Sequence, residues 1–225
     1  MALSYAQDEF GFQKPVNRHV KEKRREMRVL SITEQQILEN YLLQDMNYYK
    51  FGILFALYTG LRVGELCALE WDDIRDGNVY ISKTVQRIRQ EKKTVVQIST
   101  PKTRSSNRVI PIPAFLHPLV ENYRDVGPVI KTTQGKMVEP RLMQLHFNKY
   151  ILQCNLDKAN FHALRHTFAT RCIEAGFDVK TLSEILGHTD VKTTLNRYVH
   201  SSYDLKQSNM DKLKPMVMSY DSPSK

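Results

Sequence analysis

Apolar residues first recur at helical spacing as Ile37, Leu38, Tyr41 and Leu42. They follow Thr33 and Gln36, which are three residues apart as in a capping box, so a helix is predicted from near Thr33. A second helix is predicted over about 47–58, stopped by Gly60, and a short one from Val63 to Leu69. The period then changes. Asp76-Gly77 marks a turn, and Val79 and Ile81, then Val95, Val96 and Ile98, then Val109, Ile110 and Ile112, predict three short antiparallel strands. Pro111 and Pro113 end the last strand. Helices resume at about 114–124, 139–153, 162–175, 178–186, 190–199 and 203–213. Leu164, Phe168 and Cys172 share a helical spacing that reads as core. Residues 1–28 read as a basic arm or interdomain linker, punctuated by Lys21, Lys23, Arg24, Arg25 and Arg28. The expected class is α+β: a mostly helical domain over 29–202 with a small three-stranded antiparallel sheet, then a C-terminal helix and tail over 203–225.

Composition narrows the classes. The chain has 225 residues, 41% hydrophobic and 25% charged, the make-up of a folded domain. The longest apolar stretch, Phe51 to Leu61, is too short to span a bilayer, so no membrane partner is expected. Asp8, Glu9 and Lys14 stand where a secretion signal would need an apolar core. Cys67, Cys154 and Cys172 lie far apart and form no CxxC pair, which fits a reducing cytoplasm.

The net charge of +9 changes the picture through its position. Between 83 and 108 stand Lys83, Arg87, Arg89, Lys92, Lys93, Lys102, Arg104 and Arg108, against Glu91 alone. A run of one sign this dense is expected to pair poorly within itself and to face a polyanion such as DNA.

The polar residues at the predicted element boundaries are Arg62, Lys102, His162, Arg165, His188 and Tyr198. Arg62 follows Tyr-Thr-Gly-Leu. Lys102 sits in Thr-Pro-Lys-Thr between two predicted strands. His162 and Arg165 share one helical face, His188 follows a helix stop at Gly187, and Tyr198 lies ten residues later. Together they suit attack on a phosphodiester without a metal or other cofactor. Arginine forks match phosphate oxygens and neutralise charge that grows on phosphorus. A tyrosine hydroxyl, with its ordinary pKa of about 10, needs cationic neighbours and a base. A lysine can protonate the leaving oxygen. His162 and His166, four apart, could instead ligate a metal, but no carboxylate or cysteine completes that site. His166 reads as a residue that packs or hydrogen-bonds locally. Tyr203 is the runner-up nucleophile among eleven tyrosines.

The segments Thr59-Gly-Leu-Arg-Val-Gly-Glu65, His162-Ala-Leu-Arg-His-Thr-Phe-Ala-Thr170, Leu186-Gly-His188 and Arg197-Tyr198 resemble the boxes of the tyrosine recombinase (phage integrase) family, including the integrases of phages and conjugative transposons. The resemblance covers about residues 29 to 205 and makes 29–202 a catalytic domain. It implies a site-specific recombinase that forms a 3′-phosphotyrosyl link through Tyr198, with neither ATP nor metal. Arg62 and Arg165 would hold the non-bridging oxygens, Lys102 would protonate the 5′-oxygen, His162 would assist proton transfer at Tyr198, His188 would bond the phosphate, and Glu65 would support the site from below. Lys83, Arg87, Arg89, Lys92, Lys93 and Arg104 would contact DNA. The implied partners are double-stranded DNA and other copies of the chain, a tetramer on DNA and a monomer without it, with accessory DNA-bending factors. Leu205, Met210 and Leu213 would form an apolar stripe by which the C-terminal helix docks on a neighbouring subunit. A type IB topoisomerase-like enzyme and an inactive DNA-binding relative are the alternatives.

Overall fold

The computed structural model describes residues 27–90, 93–100, 107–198, 207 and 210–213. Eight α-helices and five strands lie among them. The helices are α1 (Ile32–Leu43), α2 (Tyr48–Thr59), α3 (Val63–Ala68), α4 (His117–Tyr123), α5 (Pro140–Gln153), α6 (His162–Glu174), α7 (Val179–Leu186) and α8 (Val191–Tyr198). The strands are β1 (Ile74–Arg75), β2 (Asn78–Ile81), β3 (Thr84–Gln90), β4 (Lys93–Ser99) and β5 (Arg108–Pro111).

The helix boundaries follow local chemistry. Ser31, not Thr33, caps α1: its hydroxyl accepts from Glu34 N–H, and the Glu34 carboxylate accepts from Ser31 N–H. Asn47 caps α2 through Tyr49 and Lys50 N–H. Gly60 ends α2 and Gly187 ends α7, both left-handed, at φ 66° and 64°.

The small antiparallel sheet has three strands, as expected, but a different third member. Its order is β1-β2-β5, with Val79 opposite Ile110 and the β1–β2 turn made by Asp76 and Gly77. The Val95–Ile98 segment belongs instead to a separate hairpin, β3-β4, in which Val85 faces Ile98 and Ile88 faces Val95. The physical reason is in β3. Val85 and Ile88 fall on opposite faces of that strand, so the segment lacks the period-two alternation that identifies a half-buried strand. The hairpin is anchored by Val85, which is buried, and by Val96, which packs against the core, while Ile88, Val95 and Ile98 are exposed. The anchor is α3, where a Cβ added to Gly64 would stand 2.6 Å from Val85 O.

Two apolar clusters meet at α6. The larger one joins α1, α2, α5 and the sheet and includes Leu164. The smaller one holds Ala169, Cys172, Leu182, Leu186 and Tyr198, with Phe168 packed against it. A helix buried on nearly every side, α6 is the common wall of both. Residues 1–26 and most of 203–225 lie outside the described residues. Of the expected apolar stripe, Met210 and Leu213 are described, at 63% and 71% exposure.

Gly60 is the junction between these layers. Its φ of 66° disfavours any L side chain, and an added Cβ would lie 2.5 Å from Phe168 Cδ1. The left-handed cost of roughly 1–2 kcal/mol and an overpacking cost of roughly 1–3 kcal/mol act together. Gly60→Ala is therefore expected to destabilise the chain by about 2 kcal/mol or more, read as a lower urea midpoint at unchanged m-value. An unchanged midpoint would contradict this account of the turn.

Candidate active site

The left-handed turn at Gly60 delivers Arg62 to the first position outside α3. Glu65, one helical turn on, accepts from Arg62 N–H at 2.9 Å and from Arg62 Nη1 at 2.7 Å. Arg165 rises from the first turn of α6 and is 1% exposed. It donates to two main-chain carbonyls, Gly60 O at 2.9 Å and Leu186 O at 2.5 Å. The second left-handed turn, at Gly187, delivers His188, whose Nδ1 pairs with Thr194 Oγ1 at 2.7 Å.

These groups line one cavity of about 300 Å³, together with His162, Thr193 and Arg197. Four sequence-predicted residues, Arg62, His162, Arg165 and His188, thus share it. Tyr198 is not among its lining residues: it is 7% exposed, and its hydroxyl lies 2.7 Å from His166 Nδ1. The His166 ring stands edge-on to His162, with centroids 4.5 Å apart. The hydroxyl therefore meets His166, the residue read as a local packer, and not His162. Lys102, Lys92 and Arg104 lie outside the described residues, as do the side chains of Arg89 and Lys93.

Sequence reasoning left three residues without a role. Arg197 adds a third guanidinium to the cavity wall, signalled only by its place next to Tyr198. His166 is one helical turn from His162, but its pairing depends on how α8 crosses α6. Arg108 was counted as surface charge, yet it is buried and joined to Glu65 by two parallel hydrogen bonds. The basic run is expected to pair poorly within itself, and the partners the structure gives it come from elsewhere. Lys83 bridges Glu70 and Asp73, and Arg87 bridges Glu139. The carboxylates come from outside the run, which a count within it cannot see.

The electrostatics are those of an anion site. Burial, then the charges of Arg165 and Arg62, push His188 down to about 3. Burial, then His166 and Arg165, push His162 to about 4. Burial, then Arg197 and Arg165, push His166 to about 4. All three are neutral at pH 7. Burial would raise Glu65, but the Arg108 hydrogen bonds and charge, helped by Arg62, hold it at about 2. Burial raises Tyr198, and Arg165 and Arg197 oppose that only in part. Three arginines around one cavity can hold a phosphodiester and stabilise negative charge growing on it.

A pH dependence of folding follows. Unfolded histidines titrate near 6.5, so below that value the unfolded chain binds protons that His162, His166 and His188 refuse until about pH 4, 4 and 3. Stability then rises with pH across that window. The melting temperature is expected to be level above pH 7, to fall steadily between about 6.5 and 4, and to fall more steeply below, where unfolded carboxylates gain protons before Glu65 does. His188→Asn should flatten part of the slope. A melting temperature constant from pH 7.5 to 4.5 would contradict these shifts.

The sequence profile of the phage integrase family matches residues 29–204. A XerC-like tyrosine recombinase of Caldanaerobacter subterraneus subsp. tengcongensis is 31% identical over 174 residues, 65% of this chain and 44% of that protein. The transposase of transposon Tn916 from Enterococcus faecalis is 29% identical over 212 residues, 82% of this chain and 51% of that protein. The chain spans about half the length of the curated relatives it matches. Among solved structures, the Tn1549 transposon integrase in complex with a circular intermediate DNA superposes with a TM-score of 0.74 at 22% identity, covering 94% of this chain and 75% of that one. The catalytic domain of bacteriophage HP1 integrase superposes at 0.57 with 19% identity, covering 83% and 95%. These likenesses bear on the fold, a mostly helical domain with small antiparallel sheets. By the profile match over residues 29–204, the chain belongs to the phage integrase family.

Proposed function

We propose that the chain is the catalytic part of a site-specific DNA recombinase that cuts and rejoins DNA through Tyr198. The observation that carries this is the cavity itself: Arg62, Arg165 and Arg197 converge on a phosphate-sized space, with His162 and His188 in its wall and Tyr198 next to Arg197 in the chain. The Tyr198 hydroxyl leaves His166 and attacks the scissile phosphorus. The new bond is P–Oη, and the bond broken is that to the 5′-oxygen. Arg62 and Arg165 hold the non-bridging oxygens, and His188 bonds the phosphate. His162, within the cavity wall, assists removal of the tyrosine proton, and Lys102 protonates the departing 5′-oxygen. The 3′-phosphotyrosyl link keeps the energy of the broken bond. Rejoining is the same step reversed, with a 5′-hydroxyl as nucleophile, so neither ATP nor metal is consumed.

The partners that fit are double-stranded DNA, through the cavity and the basic hairpin, and further copies of the chain. The exposed Met210 and Leu213 support docking of the 203–225 segment on a neighbour in a DNA-bound tetramer, with a monomer when DNA is absent and accessory bending factors where the DNA path requires them. Phosphate contacts carry little sequence information, so the hairpin contributes affinity more than choice of site. The free thiols of Cys67, Cys154 and Cys172 suit the cytoplasm.

The test uses a pool of nicked duplexes with a randomised core, incubated with the protein and denatured in detergent. The nicked strand diffuses away and traps any protein–DNA adduct. Wild-type protein is expected to yield an adduct on Tyr198, in excess chelator as well as without it, and sequencing the trapped pool gives a cognate duplex. Tyr198→Phe should give none; an adduct formed by that variant would remove Tyr198 from the nucleophile's role. On the recovered duplex, Arg62→Lys and Arg165→Lys keep the charge but lose the planar fork. Cleavage should fall by roughly 10²-fold or more, the scale of one lost oxyanion donor, with DNA affinity nearly unchanged. Equal losses in binding and cleavage would reduce these arginines to anchors.

A further inference from the structure

Glu65 is a buried carboxylate with two arginines on it. Its Oε1 accepts from Arg62 Nη1 at 2.7 Å and from Arg108 Nη1 at 3.0 Å. Its Oε2 accepts from Arg62 N–H at 2.9 Å and from Arg108 Nη2 at 2.8 Å. Each oxygen is thus shared, and the sharing is unequal. Arg108 gives Glu65 a donor from each of its two terminal nitrogens, and its Nε donates to Ile185 O at 2.6 Å. Arg62 gives Glu65 one side-chain donor and turns toward the cavity, which it lines. The side chains of Glu65 and Arg108 are 4% and 5% exposed, that of Arg62 37%.

The charge count explains the asymmetry. A carboxylate this deeply buried takes whatever cation it can reach, because an uncompensated buried charge is costly. If Arg62 were its sole guanidinium partner, a two-pronged Arg62–Glu65 pair would be the most stable arrangement. That pair would cancel Arg62's charge and withdraw its donors from the cavity. We propose that Arg108 is a positioning residue that satisfies Glu65 so that Arg62 keeps its charge and its remaining donors for the phosphate. Arg108 acts through Glu65 and is not itself a lining residue of the cavity. It also sits where it can relate the other parts of the site. It opens β5, six residues after Lys102 in the chain, and its Nε holds the last turn of α7, two residues before Gly187. The bland alternative is a buried ion pair that only ties β5 to α3 and α7.

The two accounts differ in what happens when Glu65 is neutralised as well. The inference rests on the cavity being a phosphate site, so the first readout is inorganic phosphate, which needs no DNA sequence and no catalysis. Phosphate is titrated into the full chain and followed by the ring NMR signals of His162 and His188. Arg108→Met is expected to weaken phosphate binding at least tenfold. Arg108→Met combined with Glu65→Gln should return it to within about threefold of wild type, because a neutral amide no longer competes for Arg62. Cleavage of the duplex recovered above should follow the same order: a loss of about 10²-fold or more in the single variant, at little cost in DNA affinity, and at least tenfold recovery in the double. Phosphate affinity unchanged in Arg108→Met, or a double variant no better than the single, would overturn the proposal. Should Arg108→Met fail to fold, the double variant decides alone, since it removes both charges of the buried pair together. Phosphate binding within tenfold of wild type supports the proposal, and a larger loss overturns it. A wild-type protein that binds phosphate in this way yet forms no DNA adduct would refute the recombinase reading and leave this one standing.

Discussion

Arg165 carries a full charge into the interior, and the acceptors bonded to it are two main-chain carbonyls, those of Gly60 and Leu186. Burying an ion costs several kcal/mol unless it is compensated, and the kind of compensation matters here. Gly60 caps the C-terminus of α2, and Leu186 is the last residue of α7. Both carbonyls therefore belong to the negative ends of helix dipoles. They stabilise the guanidinium by partial charges and orient it without cancelling it. A carboxylate in either place would have formed an ion pair and cancelled the charge that Arg165 brings to the cavity. The two helix ends, the interior wall of α6 and the positive character of the cavity thus depend on one set of hydrogen bonds.

The same two helix ends place the rest of the site. Each closes on a left-handed glycine, and each glycine is followed within two residues by a side chain of the cavity: Gly60 by Arg62, Gly187 by His188. The turn that frees the chain from the helix is also the turn that bares the carbonyl for Arg165. Arg108 repeats the device one residue earlier on α7, at Ile185 O, while neutralising Glu65 on α3. Two arginines, Arg165 from α6 and Arg108 from β5, hold adjacent carbonyls of one helix end, so a shift of α7 would disturb Arg165 directly and Arg62 through the Arg108–Glu65 pair.

Helix positions were legible in the sequence because their signals are local. Asn47, Gly60 and Gly187 mark their helix ends within a residue. The start of α1 slipped because two spacings, Thr33 to Gln36 and Ser31 to Glu34, both look like a capping box, and only the backbone chooses between them. Strand β3 was hidden because its apolar residues fall on both faces of a mostly exposed hairpin. The cavity residues were legible as a set through their boxes, yet their mutual contacts were not. That His166, not His162, meets Tyr198 depends on the crossing of α8 over α6. That Arg108 is buried depends on a carboxylate 43 positions away in the chain. Neither relation leaves a periodic trace.

Tyr198 shows what the tertiary arrangement adds to the chemistry. Two opposed influences act on its hydroxyl. Burial in the smaller apolar cluster raises its pKa, while Arg165 and Arg197 lower it, and burial prevails. Its partner His166 is neutral at pH 7, so it can share the hydroxyl proton but offers no cation to a phenolate. In this position burial disfavours ionisation of the hydroxyl. On the proposed reading, moving the ring from the cluster to the cavity reverses the balance: the desolvation that opposes ionisation is relieved, and the arginines that favour it draw nearer. Reactivity is then coupled to position.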